Sequence, residues 1–166
     1  MENDLNVILN SIAKESALFL KNDMLLDVLE IKSIKNILLD NHIGLIELTG
    51  SEKYVVIISI ENGLFDVIFN KFFKDGVEEN EKIELVDALP DEIINTVTGL
   101  AIRNFSLNYN EIELGIPLKM DKDSILKMLS KNIYQNLKIV TNKGSLICTV
   151  IYKDIYNGKV NDWGIN

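Results

Sequence analysis

The residues best suited to chemistry lie in the stretch 87–105, DALPDEIINTVTGLAIRNF, whose apolar positions recur with helical periodicity. Asp87 has the residue type of an N-cap and Pro90 suits a first helical turn, so the predicted helix begins at about residue 87. At about 100° per residue, one face of this helix carries a carboxylate, a carboxamide, a hydroxyl, a guanidinium and a bare glycine. The residues of this polar face are Ala88, Glu92, Asn95, Thr96, Gly99 and Arg103. Glu92 and Asn95 are its main catalytic candidates. Short polar patterns recur by chance, so a merely solvated face is the competing interpretation.

The opposite face of the predicted helix is apolar and is expected to pack on the core. Its members are Ile93, Ile94, Val97, Leu100 and Ala101. Gly99 lies among the polar residues, where a glycine in a helix interior costs about 1 kcal/mol relative to alanine. A close approach by another backbone is one reason for a glycine at this position.

Residues that could catalyse a reaction unaided are scarce elsewhere in the chain. His42, the only histidine, has no nucleophile-elbow serine or cysteine beside it and is interpreted as a surface or half-buried residue. Cys148 lies in an apolar run and is interpreted as a small core residue. The sequence contains no CxxC, HExxH, EF-hand or glycine-rich phosphate loop, and the acidic run EENEK (78–82) is interpreted as a solvated loop. We therefore expect that the protein has no metal or cofactor of its own. If it is an enzyme, a partner is expected to supply most of the reacting groups.

Length and charge narrow the class of protein. A chain of 166 residues and 18.8 kDa is expected to form one domain, residues 1–166, with a hydrophobic core. The formal net charge of −8 disfavours non-specific binding to nucleic acid and to anionic membranes. No apolar run approaches the ~18 residues of a membrane span, and no basic-then-apolar leader opens the sequence. The protein is therefore expected to be cytoplasmic.

The helix that carries the polar face has to be positioned by other elements, which the hydrophobic pattern predicts in chain order. Residues 1–20 have helical spacing, and the apolar run 23–34 fits a strand or a helix, with a strand favoured. Residues 43–50 and 54–60 predict a hairpin whose second arm is a central strand, buried on both faces. A helix with a stripe of phenylalanines begins after residues 61–63.

Further strands and a short helix are predicted beyond residue 105. Residues 108–120 predict a strand, with Pro117 confined to an edge or a strand end, and residues 121–129 predict a short helix. Residues 134–141 and 145–152 predict a second hairpin. Two hairpins, each near a helix, predict an α+β domain: an antiparallel-rich sheet with helices layered on one side. The two hairpin-and-helix units also resemble a weak internal duplication, although no sequence period is strong enough to define a repeat.

The helical stretch 87–105, together with Pro117, resembles the CheC/CheX/FliY phosphatases of bacterial chemotaxis. The signature of that family pairs a Glu and an Asn three residues apart on a helix, with a Pro about 22 residues after the Asn; here these are Glu92, Asn95 and Pro117. Gly99 matches a glycine that the family places one turn further along. The resemblance spans roughly residues 20–150. A single signature and the modest length are most similar to CheX, because CheC usually carries two signatures.

One position departs from the family pattern. Family members carry a Ser or an Asp four residues before the Glu, where this chain has Ala88. Asp87 is a poor substitute, since it projects about 140° away from Glu92 on the helical wheel. The departure concerns a supporting contact and leaves the pair of Glu92 and Asn95 complete.

The resemblance implies a phosphatase that removes the phosphoryl group from the phospho-aspartate of a CheY-type response regulator and so ends a chemotaxis signal. The regulator would bring its own Mg²⁺ and Lys, Asn95 would orient the attacking water, and Glu92 would pair with that Lys. Contacts to the regulator would come from Ala88, Thr96, Gly99 and Arg103. Because CheX-like relatives pair as two-fold dimers through the sheet, a homodimer is also implied, with the apolar C-terminal hairpin as the expected unprotected edge.

Two other classes of function stay open. The chain could be a non-catalytic CheC-like binding module or a flagellar-switch-type assembly module, with Ala88 as a sign of that drift. It could also be a structural homo-oligomer whose polar face is only solvated. Binding to a phosphorylated regulator, and phosphate release from it, distinguish these classes.

Overall fold

The computed structural model of the protein describes residues 2–50, 52–73, 76–105 and 112–153. The helices in this part of the chain are α1 (Glu2–Leu18), α2 (Asn62–Phe72), α3 (Glu79–Phe105) and α4 (Lys122–Lys131). A π-helical turn, Phe19–Asp23, extends α1. The strands are β1 (Val28–Ser33), β2 (His42–Thr49), β3 (Lys53–Ile60), β4 (Glu113–Pro117), β5 (Ile133–Thr141) and β6 (Gly144–Lys153).

The strands form one antiparallel sheet of six strands in the order β1-β5-β6-β3-β2-β4. The two predicted hairpins, β2–β3 and β5–β6, lie side by side because β3 pairs with β6 in the middle of the sheet. Strand β3 is buried along its length apart from Lys53, as its β-branched run predicts for a central strand. The predicted α+β fold with an antiparallel sheet is confirmed.

Helices α1, α2 and α3 pack on one face of the sheet and form the larger part of the core. They cover alternate residues of the central strands, namely Ile46, Leu48, Val56, Ile58, Cys148 and Val150. Because side chains alternate along a strand, the remaining strand residues point to the opposite face. There α4 covers them with Ile125, Met128 and Leu129, so the predicted layering of helices on one side of the sheet holds for α1, α2 and α3 but not for α4.

The helix that carries the polar face is longer than predicted. Helix α3 begins at Glu79, whereas the sequence pattern gave a charged loop there and an N-cap at Asp87. Leu85 and Val86 pack against the core, so the amphipathic stripe of α3 starts before the predicted N-cap. Pro90 consequently lies inside the helix instead of in its first turn, and it lacks the N–H that would bond the carbonyl of Val86.

Gly44 of β2 allows α3 to lie directly on the sheet. A Cβ atom at this position would be 2.4 Å from the carbonyl oxygen of Pro90 and 2.9 Å from its carbonyl carbon. Side chains do not approach a backbone that closely, so position 44 requires glycine. The sequence suggested a close backbone contact at Gly99. Among the described residues, however, the only neighbour that an added Cβ would meet there is the side chain of Leu114, at 3.6 Å. The tight contact between α3 and another backbone is therefore at Gly44.

Gly44→Ala is expected to lower the free energy of unfolding by about 1–3 kcal/mol, because the added methyl group forces α3 away from β2. Chemical denaturation followed by circular dichroism measures this change. Gly99→Ala is the matched control, and it should leave stability unchanged or raise it by up to about 1 kcal/mol. Equal denaturation midpoints for Gly44→Ala and the wild type would contradict the tight contact.

Most of the remaining elements follow the prediction. The ambiguous run becomes a strand from Val28, and Pro117 is the last residue of β4, an edge strand. Asp121 caps α4 by accepting a hydrogen bond from the backbone N–H of Ser124. Residues 78 and 80–82 are exposed, as predicted, although the chain there is helical from residue 79.

The C-terminal hairpin does not provide the expected sheet edge. Strand β5 pairs with β1 and strand β6 pairs with β3, so both hairpin strands lie inside the sheet. The edges of the described sheet are β1 and β4. The prediction of an unprotected edge at this hairpin is wrong because local periodicity does not reveal the order of strands in a sheet.

Candidate functional site

Helix α3 presents the predicted polar face to solvent. Half-buried Gly99 is accompanied by five exposed residues, which are Ala88, Glu92, Asn95, Thr96 and Arg103. The structure thus brings all the predicted site residues together on one side of a single helix.

The opposite side of α3 is buried, with one exception to the prediction. Ile93, Ile94, Val97 and Ala101 lie in the core. Leu100, expected on the apolar face, has 40% of its surface exposed. It lies about 80° from Glu92 on the helical wheel, at the margin between the polar and apolar faces. The buried surface of α3 is therefore narrower than predicted and does not include Leu100.

Neighbouring elements hold α3 in this orientation. The backbone of Pro90 lies against Gly44 of β2, as described above. Near the other end of the helix, the Asn104 Nδ2 donates a hydrogen bond of 2.8 Å to Glu15 Oε1 of α1. Two different elements therefore contact α3 on either side of Glu92 and Asn95, which fixes the direction of the polar face relative to the sheet.

Strand β4 runs beside the polar face. Its Leu114 packs next to Gly99, and its last residue, Pro117, lies opposite Ile46 of β2. Pro117 is the last residue of the edge strand, and the residues that follow it reach the first half of α3. It does not itself belong to the polar face.

Lys119 is a neighbour of the polar face that the sequence pattern missed. Its Nζ donates a hydrogen bond of 2.5 Å to the carbonyl oxygen of Asp87 and forms an ion pair of 2.8 Å with Asp91 Oδ2. The side chain of Asp91 is only 19% exposed, and its Oδ1 is buried without a hydrogen-bond partner. No spacing rule relates positions 91 and 119, because they lie on different elements and only tertiary contact brings them together.

The chemical repertoire of the polar face is centred on a carboxylate and a carboxamide. Side chains at positions i and i+3 of a helix are neighbours, so Glu92 and Asn95 can contact the same bound group. The carboxylate of Glu92 can accept hydrogen bonds from a cationic group, and the carboxamide of Asn95 can accept from and donate to water. This pair suits the orientation of a water and of a charged group on a partner.

His42 and Cys148 occupy structural positions. The ring of His42 stacks on Phe65 with centroids 3.5 Å apart, and partial burial lowers the pKa of the histidine although nearby acidic residues oppose the shift. Cys148 is fully buried, and burial raises the pKa of its thiol to about 12, so it stays protonated. Both residues fit the structural interpretation that the sequence favoured.

The described residues contain neither a metal-binding cluster nor a helix that could cross a membrane. Within residues 2–50, 52–73, 76–105 and 112–153, no group of three His, Cys, Asp or Glu side chains could hold a metal ion. No helix in these ranges combines the length and the apolar character that crossing a membrane requires.

Comparison with known proteins relates the chain to one family. The family model described as "Chemotaxis phosphatase CheX" matches residues 42–136, which is more than half of the sequence and includes Glu92 and Asn95. No curated protein sequence matches the chain.

Three solved structures named as CheC-like or CheX proteins are similar to this fold. A CheC-like superfamily protein from Shewanella sp. PV-4 is 20% identical, with 89% of this chain and 98% of that chain covered at a TM-score of 0.67. The chemotaxis protein CheX from Vibrio vulnificus is 18% identical, with 88% and 96% covered at 0.65. A CheX–CheY–BeF3–Mg²⁺ complex from Borrelia burgdorferi gives 14% identity, 87% and 97% coverage, and 0.69. At these identities the likeness concerns the fold.

Proposed function

Since the chain belongs to the CheX family of chemotaxis phosphatases, we propose that it hydrolyses the phospho-aspartate of a CheY-type response regulator in the cytoplasm. The observation that carries this proposal is the pair of exposed residues Glu92 and Asn95, three positions apart on α3. The structural neighbour from Borrelia burgdorferi, a complex with CheY, supports the same class of partner.

Asn95 orients the attacking water. An acyl phosphate is already activated, so its hydrolysis needs a water in line with the breaking P–O bond more than it needs a strong base. The carboxamide oxygen of Asn95 accepts one hydrogen bond from that water and holds this geometry. The water oxygen bonds to phosphorus, the aspartyl carboxylate leaves, and inorganic phosphate is released after a proton passes to solvent.

Glu92 engages the partner instead of acting as the base. It pairs with the Lys beside the regulator's phosphorylation site, in a charge-assisted hydrogen bond that fixes the relative orientation of the two proteins. The Mg²⁺ belongs to the regulator, where it neutralises charge on the phosphoryl oxygens. The phosphatase needs no cofactor of its own in this scheme.

The other residues of the polar face contact the regulator around this pair. Thr96 and Arg103 extend the exposed stripe along α3, and Gly99, which has no side chain, allows a partner to approach the helix backbone closely. Ala88 contacts the partner without the hydroxyl or carboxylate that the family carries there. The net charge of −8 does not attract an acidic regulator, so docking depends on these local groups and not on long-range steering.

Decay of a phosphorylated regulator tests the proposal. Each CheY-type regulator encoded in the same genome is phosphorylated with acetyl phosphate, freed of excess donor, and followed by phosphate release with and without the purified protein. Faster decay that saturates with regulator concentration is the expected result. Unchanged decay for every regulator would reject the phosphatase assignment.

A flagellar-switch-type or other non-catalytic binding module is the second candidate, and Ala88 is the observation that favours it. The family residue at this position carries an oxygen, which alanine lacks. Ala88→Ser is therefore expected to raise the decay rate if the chain is an enzyme that lacks a supporting contact. A binding module would hold the phosphorylated regulator without releasing phosphate, and Ala88→Ser would not change this.

We also propose that the protein forms a homodimer through an edge of its sheet. Strand β4 is one such edge, and its Ile116 is 76% exposed. Unpaired edge strands with exposed apolar residues tend to pair with another chain. Light scattering at micromolar concentration should give the mass of two chains, and a mass of one chain would reject the dimer.

A further inference from the structure

Lys119 connects the segment after β4 to the part of α3 that precedes Glu92, and we infer that it is a positioning residue for the polar face. It holds the helix backbone at Asp87 and the side chain of Asp91, the residue directly before Glu92. The inference rests on the proposed phosphatase function, and it requires no contact between Lys119 and the reacting atoms.

Pro90 weakens the internal hydrogen bonding of α3 in the turn before Glu92. It cannot donate to the carbonyl of Val86, and its ring crowds that carbonyl, so one internal hydrogen bond is lost and a helix tends to kink here. The contact between Pro90 and Gly44 limits movement toward the sheet. Lys119 adds a second restraint, since it bonds residues three positions before and one position after the proline.

The charge balance makes Asp91 depend on Lys119. The side chain of Asp91 is mostly buried, at 19% exposure, whereas that of Lys119 is 64% exposed. One oxygen of Asp91 already lacks a hydrogen-bond partner. Loss of the ammonium group would leave a mostly buried carboxylate uncompensated, which favours movement of Asp91 toward water.

Such movement would disturb the water-orienting residue more than it disturbs docking. Glu92 and Asn95 follow Asp91 within the next helical turn, so both shift with the helix backbone. The long side chain of Glu92 can adjust to keep its contact with the partner. The water held by Asn95 has to stay in line, and a misplacement of about 1 Å can lower a rate by about 100-fold.

Three variants separate this role from a general structural effect. Lys119→Met is expected to lower the decay rate at saturating phospho-regulator by about 10-fold, with less than a threefold change in the half-saturating concentration. Lys119→Arg keeps the charge and should restore most of the rate. Lys122→Met is the matched control, because Lys122 also bonds a carbonyl oxygen, that of Leu39, and a side-chain oxygen, that of Asn41, but none on α3. It should leave both parameters unchanged.

Hydrogen exchange of the amides of residues 91–95 provides a readout that does not depend on activity. Exchange should be faster in Lys119→Met than in the wild type and in Lys122→Met. Unchanged exchange would overturn the inference, and faster exchange with unchanged turnover would overturn its catalytic part. If the wild type dephosphorylates no regulator, the proposed function fails, and the exchange data alone decide whether Lys119 holds α3.

Discussion

Asn95→Ala is expected to slow catalysed dephosphorylation of the regulator by about 100-fold or more, because the in-line water loses the group that orients it. The fold should be unaffected, since Asn95 is exposed while its neighbours Ile94 and Val97 form the buried contacts of α3. Phosphate release from purified phospho-regulator measures the rate, and thermal denaturation of the variant measures its stability. Binding to the regulator should change little, because the lost interaction is made mainly to water.

Asn80→Ala is the matched control for this prediction. Asn80 is also an exposed asparagine of α3, 15 residues before Asn95 and away from the signature pair. Its replacement should leave the rate and the stability unchanged. Decay as fast with Asn95→Ala as with wild type would refute the role of Asn95, whatever the family of the chain.

Glu92→Ala is expected to weaken binding of the phosphorylated regulator by roughly 10- to 100-fold, the usual size of one charge-assisted hydrogen bond of about 1.5–3 kcal/mol. A regulator loaded with Mg²⁺ and BeF3 gives a stable complex in which this affinity can be measured by titration calorimetry. The rate at saturating regulator should fall less than it does in Asn95→Ala. Glu92→Gln keeps the shape and removes the charge, so it isolates the ionic part of the effect.

Glu84→Ala controls for the change in net charge. Glu84 is an exposed acidic residue of the same helix, two turns before Glu92, and its loss changes the charge of the protein by the same amount. The affinity of the Glu84→Ala variant for the regulator should match that of the wild type. If Glu92→Ala bound as tightly as Glu84→Ala, the pairing of Glu92 with the partner's Lys would be wrong.

The two variants together distinguish an enzyme from a binding module. An enzyme of the proposed kind loses turnover with Asn95→Ala and affinity with Glu92→Ala, because one residue acts on the water and the other on the partner. A binding module has no turnover to lose, so only the affinity would respond. The separate responses of rate and affinity are therefore more informative than either residue alone.

Much of the fold could be predicted from the sequence because it depends on local pattern. Alternation and β-branched runs indicate the two hairpins, and helical spacing indicates which side of α3 is buried, as the core positions of Ile93 and Val97 confirm. The polar face is fixed by the same arithmetic, since residues on one helix keep their angular positions wherever the helix packs. Glu92 and Asn95 could thus be assigned to one exposed face, with the family resemblance, before any tertiary contact was known.

Tertiary structure alone decided where this helix lies and what holds it. The start of α3 at Glu79, the interior positions of β5 and β6 in the sheet and the position of Lys119 beside Asp91 all depend on contacts between segments distant in the chain. The role of Gly44 could not be predicted for the same reason. In the sequence it is one residue of a hairpin, whereas in the fold its missing side chain allows the backbone of Pro90 to pack against β2. Periodicity describes which side of an element faces a core, but it carries no information about which other element is packed there.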